Sequence, residues 1–105
     1  MAEATNDVEM AGKISRREPL KYTPDGIPLL EFVLAVPQKI LGRPSVGYFK
    51  ALAHGTMAEE LQPFVKIGKS LWVKGSLFSR AFRNTKGIQL NETKIVLKSY
   101  KKEGS

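Results

Sequence analysis

Cysteine is absent from the 105 residues, and histidine occurs once, at His54. Without thiols there are no disulfides, no thiolate metal site and no cysteine nucleophile. One imidazole and no thiol leave the common catalytic dyads and triads unsupported, and a lone histidine is a poor start for zinc, which needs several ligands. No Gly-rich loop follows a strand and opens a helix, so a phosphate-cradling nucleotide site is not expected either. A carboxylate pair is the remaining route to catalysis, but nothing places two of the ten acidic residues in one cleft. The chain is expected to be no enzyme and to need no cofactor or metal.

Long apolar runs are also missing. The longest, IPLLEFVLAV, is interrupted by Glu31 and is too short to span a bilayer. The first twelve residues hold Glu3, Asp7 and Glu9 and no basic residue, the reverse of a secretory leader. With the missing cysteine this points to a cytoplasmic protein with no membrane partner.

What the chain does have is apolar content, turns and positive charge. Hydrophobic residues make up 42%, aromatics 9%, and there are nine glycines and six prolines. This is one domain's worth of chain with a modest core, to which a second copy of the chain would add burial. The net charge is +7 and lies unevenly. From Val65 to Lys102 there are ten basic residues and a single acidic one, Glu92. Such a field attracts polyanions, a nucleic acid or an anionic membrane surface, although solvated strand faces look similar in composition.

The pattern along the chain is mostly of period two. Residues 1–6 are small and polar and are expected to fray as a disordered N-terminus. Val8 to Ser15 alternates as a first strand, Leu20 to Tyr22 resumes an extended path, and Thr23-Pro24-Asp25-Gly26 is a turn. Pro28 to Gln38 is a second strand, apolar on both faces, hence buried on both sides or paired with another subunit. Lys39 to Ser45 reads as a loop and Val46 to His54 as a third strand. Thr56 then offers an N-cap, with Glu59 at the capping-box spacing, for a short helix ended by Pro63 and Gly68. Ser70 to Phe82 is a long fourth strand in which Gly75 marks a bulge or tight bend. A hairpin loop, Arg83 to Gly87, leads to a fifth strand, Ile88 to Lys98. The expected organisation is residues 7–99 as one domain and 100–105 as a short polar tail. Five short, sharply bent strands should close on themselves, so the fold class is all-β with one short helix: a five-stranded OB-fold barrel with its helix between strands 3 and 4.

Three segments, in order, resemble the bacterial single-stranded DNA-binding protein (SSB) family and its short relative primosomal replication protein N (PriB). They are LKYTPDGIPLLEFVLAV at 20–36, HGTMAEELQPFVKIGKSLWVKGSL at 54–77 and SRAF at 79–82. The resemblance covers about residues 8–98. It implies an OB barrel, homodimers or homotetramers, and non-catalytic, largely sequence-independent single-stranded DNA binding in replication, repair or replication restart. A PriB-like role as a primosome scaffold, binding replication-restart proteins, is the alternative, and RNA stays open as a ligand. Two departures stand out. A full-length SSB is expected to continue into a linker and an acidic, aromatic tip, so this chain reads as a short member, as PriB is, or as a trimmed one. An early loop aromatic of the family falls near Ile40 here.

Single-strand binders stack bases on flat side chains and track phosphates with cations. On the third strand Tyr48, Lys50, Leu52 and His54 share one face; on the fourth, Trp72, Lys74, Ser76, Phe78, Arg80 and Phe82 do, opposite Leu71, Val73, Gly75 and Leu77, which read as core. The expected nucleic-acid contacts are Tyr48, Lys50, His54, Lys74, Arg80, Phe82, Arg83 and Lys86. The resemblance places base-stacking aromatics at Tyr48 and Phe82 and a third aromatic where His54 stands. Arg80, Arg83 and Lys86 flank the hairpin, as phosphate grips or merely as a solvated loop. Trp72 points outward and is read as a subunit interface in preference to a stacking platform.

Overall fold

The computed structural model describes residues 6–103, so that the expected disorder of 1–5 falls outside the described residues. Its elements are β1 (Val8–Arg17), β2 (Lys21–Tyr22), β3 (Pro28–Ile40), β4 (Arg43–His54), α1 (Thr56–Leu61), β5 (Ser70–Arg83) and β6 (Gln89–Glu103). The strands run in the order β1-β5-β6-β4-β3-β2, and a further β1–β3 pairing closes a ring of five with β2 on its edge. All pairings are antiparallel except β4 with β6, which meet in parallel at Ala51–Ile95 and Leu52–Val96. This is an OB-fold barrel. Its helix follows β4 and precedes β5; counting only the ring strands, these are the third and the fourth.

Alternation along each strand builds the core. Ile14 of β1, Leu30, Phe32 and Leu34 of β3, Ala51 and Ala53 of β4, Leu71 and Val73 of β5, and Ile95 and Leu97 of β6 are all buried. Ala58 and Leu61 of α1, with Val65 just beyond it, complete this cluster. The other face of β3, apolar at Leu29, Val33 and Ala35, is half-buried within the single chain.

Several local details depart from expectation. Gly55, not Thr56, caps the helix: its φ of 70° turns the chain one residue early, and no side chain bonds to the helix end. The loop expected at 39–45 shrinks to Leu41-Gly42, because Ile40 pairs with Arg43. Both turn residues have positive φ, 52° and 77°, the hairpin geometry that matches strand twist. Asn6 is tied down where fraying was expected: its side-chain amide donates to the Leu77 carbonyl at 2.7 Å and accepts from the Leu77 N–H at 2.8 Å.

The segment expected as a polar tail from residue 100 is strand as far as Glu103, paired with β5. The register explains why. Lys74 pairs with Ser99 and Gly75 with Leu97, leaving Lys98 as an extra residue in β6. That bulge reverses the parity, so Tyr100, out of phase with Ile95 and Leu97, lies opposite Val73 and packs on the core.

Candidate nucleic-acid interface

Two hairpins extend past the ring. Residues 36–40 of β3 pair only with β4, and β5 from Phe78 onward pairs only with β6. Outward-pointing residues on the β5–β6 arm, and on β4 at the base of the other, stand free of the core. Tyr48 is 68% exposed and Phe82 37%, and the Arg80 guanidinium lies 5.5 Å from the centre of the Phe82 ring. Phe78, between Ser76 and Arg80 on the same face, is exposed as well. Leu77, expected in the core, is also exposed: the arm has left the barrel by then, so its inward parity meets a groove.

That groove, of about 460 Å³, is lined by Tyr48, Phe49, Lys50, Leu77 and residues 91–95 of β6. The β5–β6 loop beyond it is held in shape by Asn84. Its side-chain oxygen accepts from the Lys86 N–H at 2.9 Å and the Ile88 N–H at 3.0 Å, so Arg83 and Lys86 are displayed on an ordered turn.

A charged relay crosses the outer face. Lys94 donates to Glu31 at 3.1 Å and lies 3.3 Å from Glu92. Glu31 also faces Lys21 at 3.7 Å. Glu92 in turn faces Arg80 at 3.7 Å and Lys50 at 3.8 Å. The hydrogen bond from Lys94 holds the Glu92 carboxyl below its ordinary value, against desolvation, with the charges of Lys94, Lys50 and Arg80 adding to it. Desolvation works against the charge on Lys94, but its bonds to Glu31 and Glu92 prevail and raise its pKa.

Stability from Glu92 is present above its ordinary value of 4.5 and lost as pH falls through its lower folded value. Asp7, lowered by the hydrogen bond from Lys98, behaves alike. Stability from Lys94 is present below 10.5 and lost as pH rises through its higher folded value. The expected result is a melting temperature that these groups leave flat between 4.5 and 10.5 and that falls toward acid. Glu92→Gln should blunt the acid limb, as thermal melts across pH would show.

The expected residues therefore divide. Tyr48 and Lys50 line the groove, Arg80 joins it through Glu92, and Phe82 joins through Arg80. Arg83 and Lys86 lie at the arm's end. His54 is exposed with the same outward parity, but it stands opposite Leu29, roughly 13 Å along β4 from Lys50 at the usual strand rise. Lys74 lies roughly 20 Å down β5 from Arg80 and faces Glu9 of β1 at 3.9 Å. Trp72 lies opposite Ala11, half-buried, with the Lys101 ammonium 5.2 Å from its ring centre. Sequence reading missed Glu31, Glu92 and Lys94 as a unit. Its one trace is Glu92 as the lone acid among ten cations.

A model of the single-strand binding protein family matches residues 5–102. This chain belongs to that family. The single-stranded DNA-binding protein of Halalkalibacterium halodurans is 26% identical over 97 residues, covering 90% of this chain and 58% of that protein. The chain thus spans less than two thirds of that relative's length. Among solved structures, a Plasmodium falciparum SSB in complex with ssDNA aligns with a TM-score of 0.82 at 15% identity, over 96% of this chain and 95% of that one. The priB protein of Ralstonia solanacearum aligns with a TM-score of 0.72 at 20% identity, over 95% of this chain and all of the other. At such identities the two structures share the barrel with this single-strand binding family member.

Proposed function

We propose that this protein binds single-stranded DNA without strong sequence preference and performs no chemistry on it. One observation carries the reading: exposed aromatics and cations point outward along β4 and the β5–β6 arm of a single-strand binding family barrel. Tyr48 and Phe82 are the base-stacking platforms. Lys50, Arg80, Arg83 and Lys86 are the phosphate contacts, and His54 and Lys74 lie on outlying parts of the strand's path. Symmetric self-association adds burial to a modest core, with half-buried Trp72 at the contact. The protein works in the cytoplasm, in replication, repair or replication restart. No helix among the described residues is long and apolar enough to cross a membrane.

Fluorescence anisotropy with oligo-dT, oligo-U and duplex DNA across a salt range tests this. Log affinity should fall with log salt at a slope between about −1.5, if only Arg83 and Lys86 reach phosphates, and about −3, if all four cations do. Duplex should bind far more weakly, because its bases offer no open face for stacking. A salt-independent dissociation constant, or preference for duplex, would refute the reading.

A further inference from the structure

The cations on the groove do not stand alone. Among the described residues, Arg83 and Lys86 have no carboxylate within 4.0 Å, whereas Lys50 and Arg80 both face Glu92. Glu92 is the only acidic residue from Val65 to Lys102, and its side chain is 20% exposed on an otherwise cationic arm. A lone carboxylate between two proposed phosphate contacts acts against binding a polyanion. We infer that Glu92 is an internal stand-in for phosphate: it occupies Lys50 and Arg80 in the free protein and gives them up when a strand enters, which lowers affinity and flattens salt dependence. This rests on the single-strand reading above.

The two halves of the relay differ in a way that fits. Lys94, 19% exposed, sits between Glu31 and Glu92 at 3.1 and 3.3 Å. Partial burial disfavours its charge, and its bonds to the two carboxylates more than offset that cost. Lys50 and Arg80 are 58% and 61% exposed and lie 3.8 and 3.7 Å from Glu92, beyond hydrogen-bond distance. Exposed pairs at that range are weak and exchange readily. Glu92 is thus anchored from beneath by Lys94 while its two outer partners remain free to swing to another anion. A phosphate gripped by Lys50 and Arg80 would then lie close to a carboxylate that cannot retreat, and the two like charges repel. Lys21 and Glu31 complete the charged surroundings, with Arg16 and Glu18 along the adjoining cleft on β3.

The test is oligo-dT affinity against salt for the full chain, Glu92→Gln, and Glu59→Gln as a control for bulk charge on the helix. Glu92→Gln should bind about three- to tenfold tighter at low salt, with a slope steeper by about 0.7 for each phosphate gained. Glu59→Gln should bind like the parent. The gain should vanish when Glu92→Gln is added to a Lys50→Gln, Arg80→Gln background. Glu92→Asp keeps the charge but shortens its reach to Lys50 and Arg80, already at 3.8 and 3.7 Å, so it should bind with intermediate affinity; it also serves if the Gln variant fails to fold. Equal or weaker binding by a folded Glu92→Gln or Glu92→Asp overturns the inference, as does a gain that persists without Lys50 and Arg80. Neither result disturbs the single-strand reading, which stands or falls on the parent protein's binding to oligo-dT over duplex.

Discussion

Tyr48→Ala and Phe82→Ala are each expected to weaken oligo-dT binding by about 1–3 kcal/mol, the usual worth of one base on one ring. That corresponds to roughly fivefold to more than a hundredfold in dissociation constant. Tyr48 is the more exposed, on β4 at the mouth of the groove. Phe82 is less exposed because Arg80 lies over its ring, and stacking a base there competes with that cation. Neither ring belongs to the buried cluster, so both variants should melt like the parent. The salt slope should barely move for Tyr48→Ala, because no phosphate contact is lost. Arg83→Ala should instead reduce the slope by about 0.7 with base preference unchanged. The combined anisotropy and melting measurements decide the matter: a folded Phe82→Ala that binds normally removes Phe82 from the interface, and an unfolded one makes it core.

Gly75→Ala should be a strongly damaging small-to-large change in the barrel itself. Gly75 is buried where β5 crosses β6, and a Cβ there would collide with the Val96 carbonyl oxygen, with the carbonyl carbon at 2.9 Å and Ile95 Cγ2 at 3.1 Å. These obstacles are backbone and a core side chain. β6 cannot simply move off, since Ile95 and Val96 also pair with β4 and close the ring. The expected cost is about 1–3 kcal/mol, the range for overpacked cores. For a domain of this size that lowers the melting temperature by roughly 5–20 °C. Gly47→Ala is the comparison. Its Cβ would meet the Phe49 ring edge at 2.7 Å and Gln38 Oε1 at 3.0 Å, the ends of two side chains and no backbone, so although Phe49 packs on the core the cost should be smaller. Equal melting temperatures for the two variants would show that β6 yields at Gly75 and that the close crossing is not a constraint.

The alternation of Leu30, Phe32 and Leu34, or of Leu71 and Val73, was legible because a strand's faces are set by adjacent residues alone. So was the outward set that carries Tyr48, Lys50, Arg80 and Phe82. The internal glycine pointed correctly to a bulge, which falls on the Lys98 side of the pairing. Tyr100 was not legible, since its role depends on a parity reversal in one strand caused by its register on another. The Thr56 cap failed because Gly55, at a φ of 70°, already turns the chain into the helix and leaves Thr56 as its first helical residue.

By itself, then, the sequence determined what each strand face is made of and that the outward faces of β4 and β5 carry cations and aromatics. Those are local properties, carried by spacing of two. Only the tertiary structure decided which cations are free. The Lys94–Glu31 contact joins residues 63 apart in sequence. Lys50, Arg80 and Glu92 meet because three strands close in one register. Charge acts through space, with an energy set by distance and exposure, and neither quantity exists until the ring has closed.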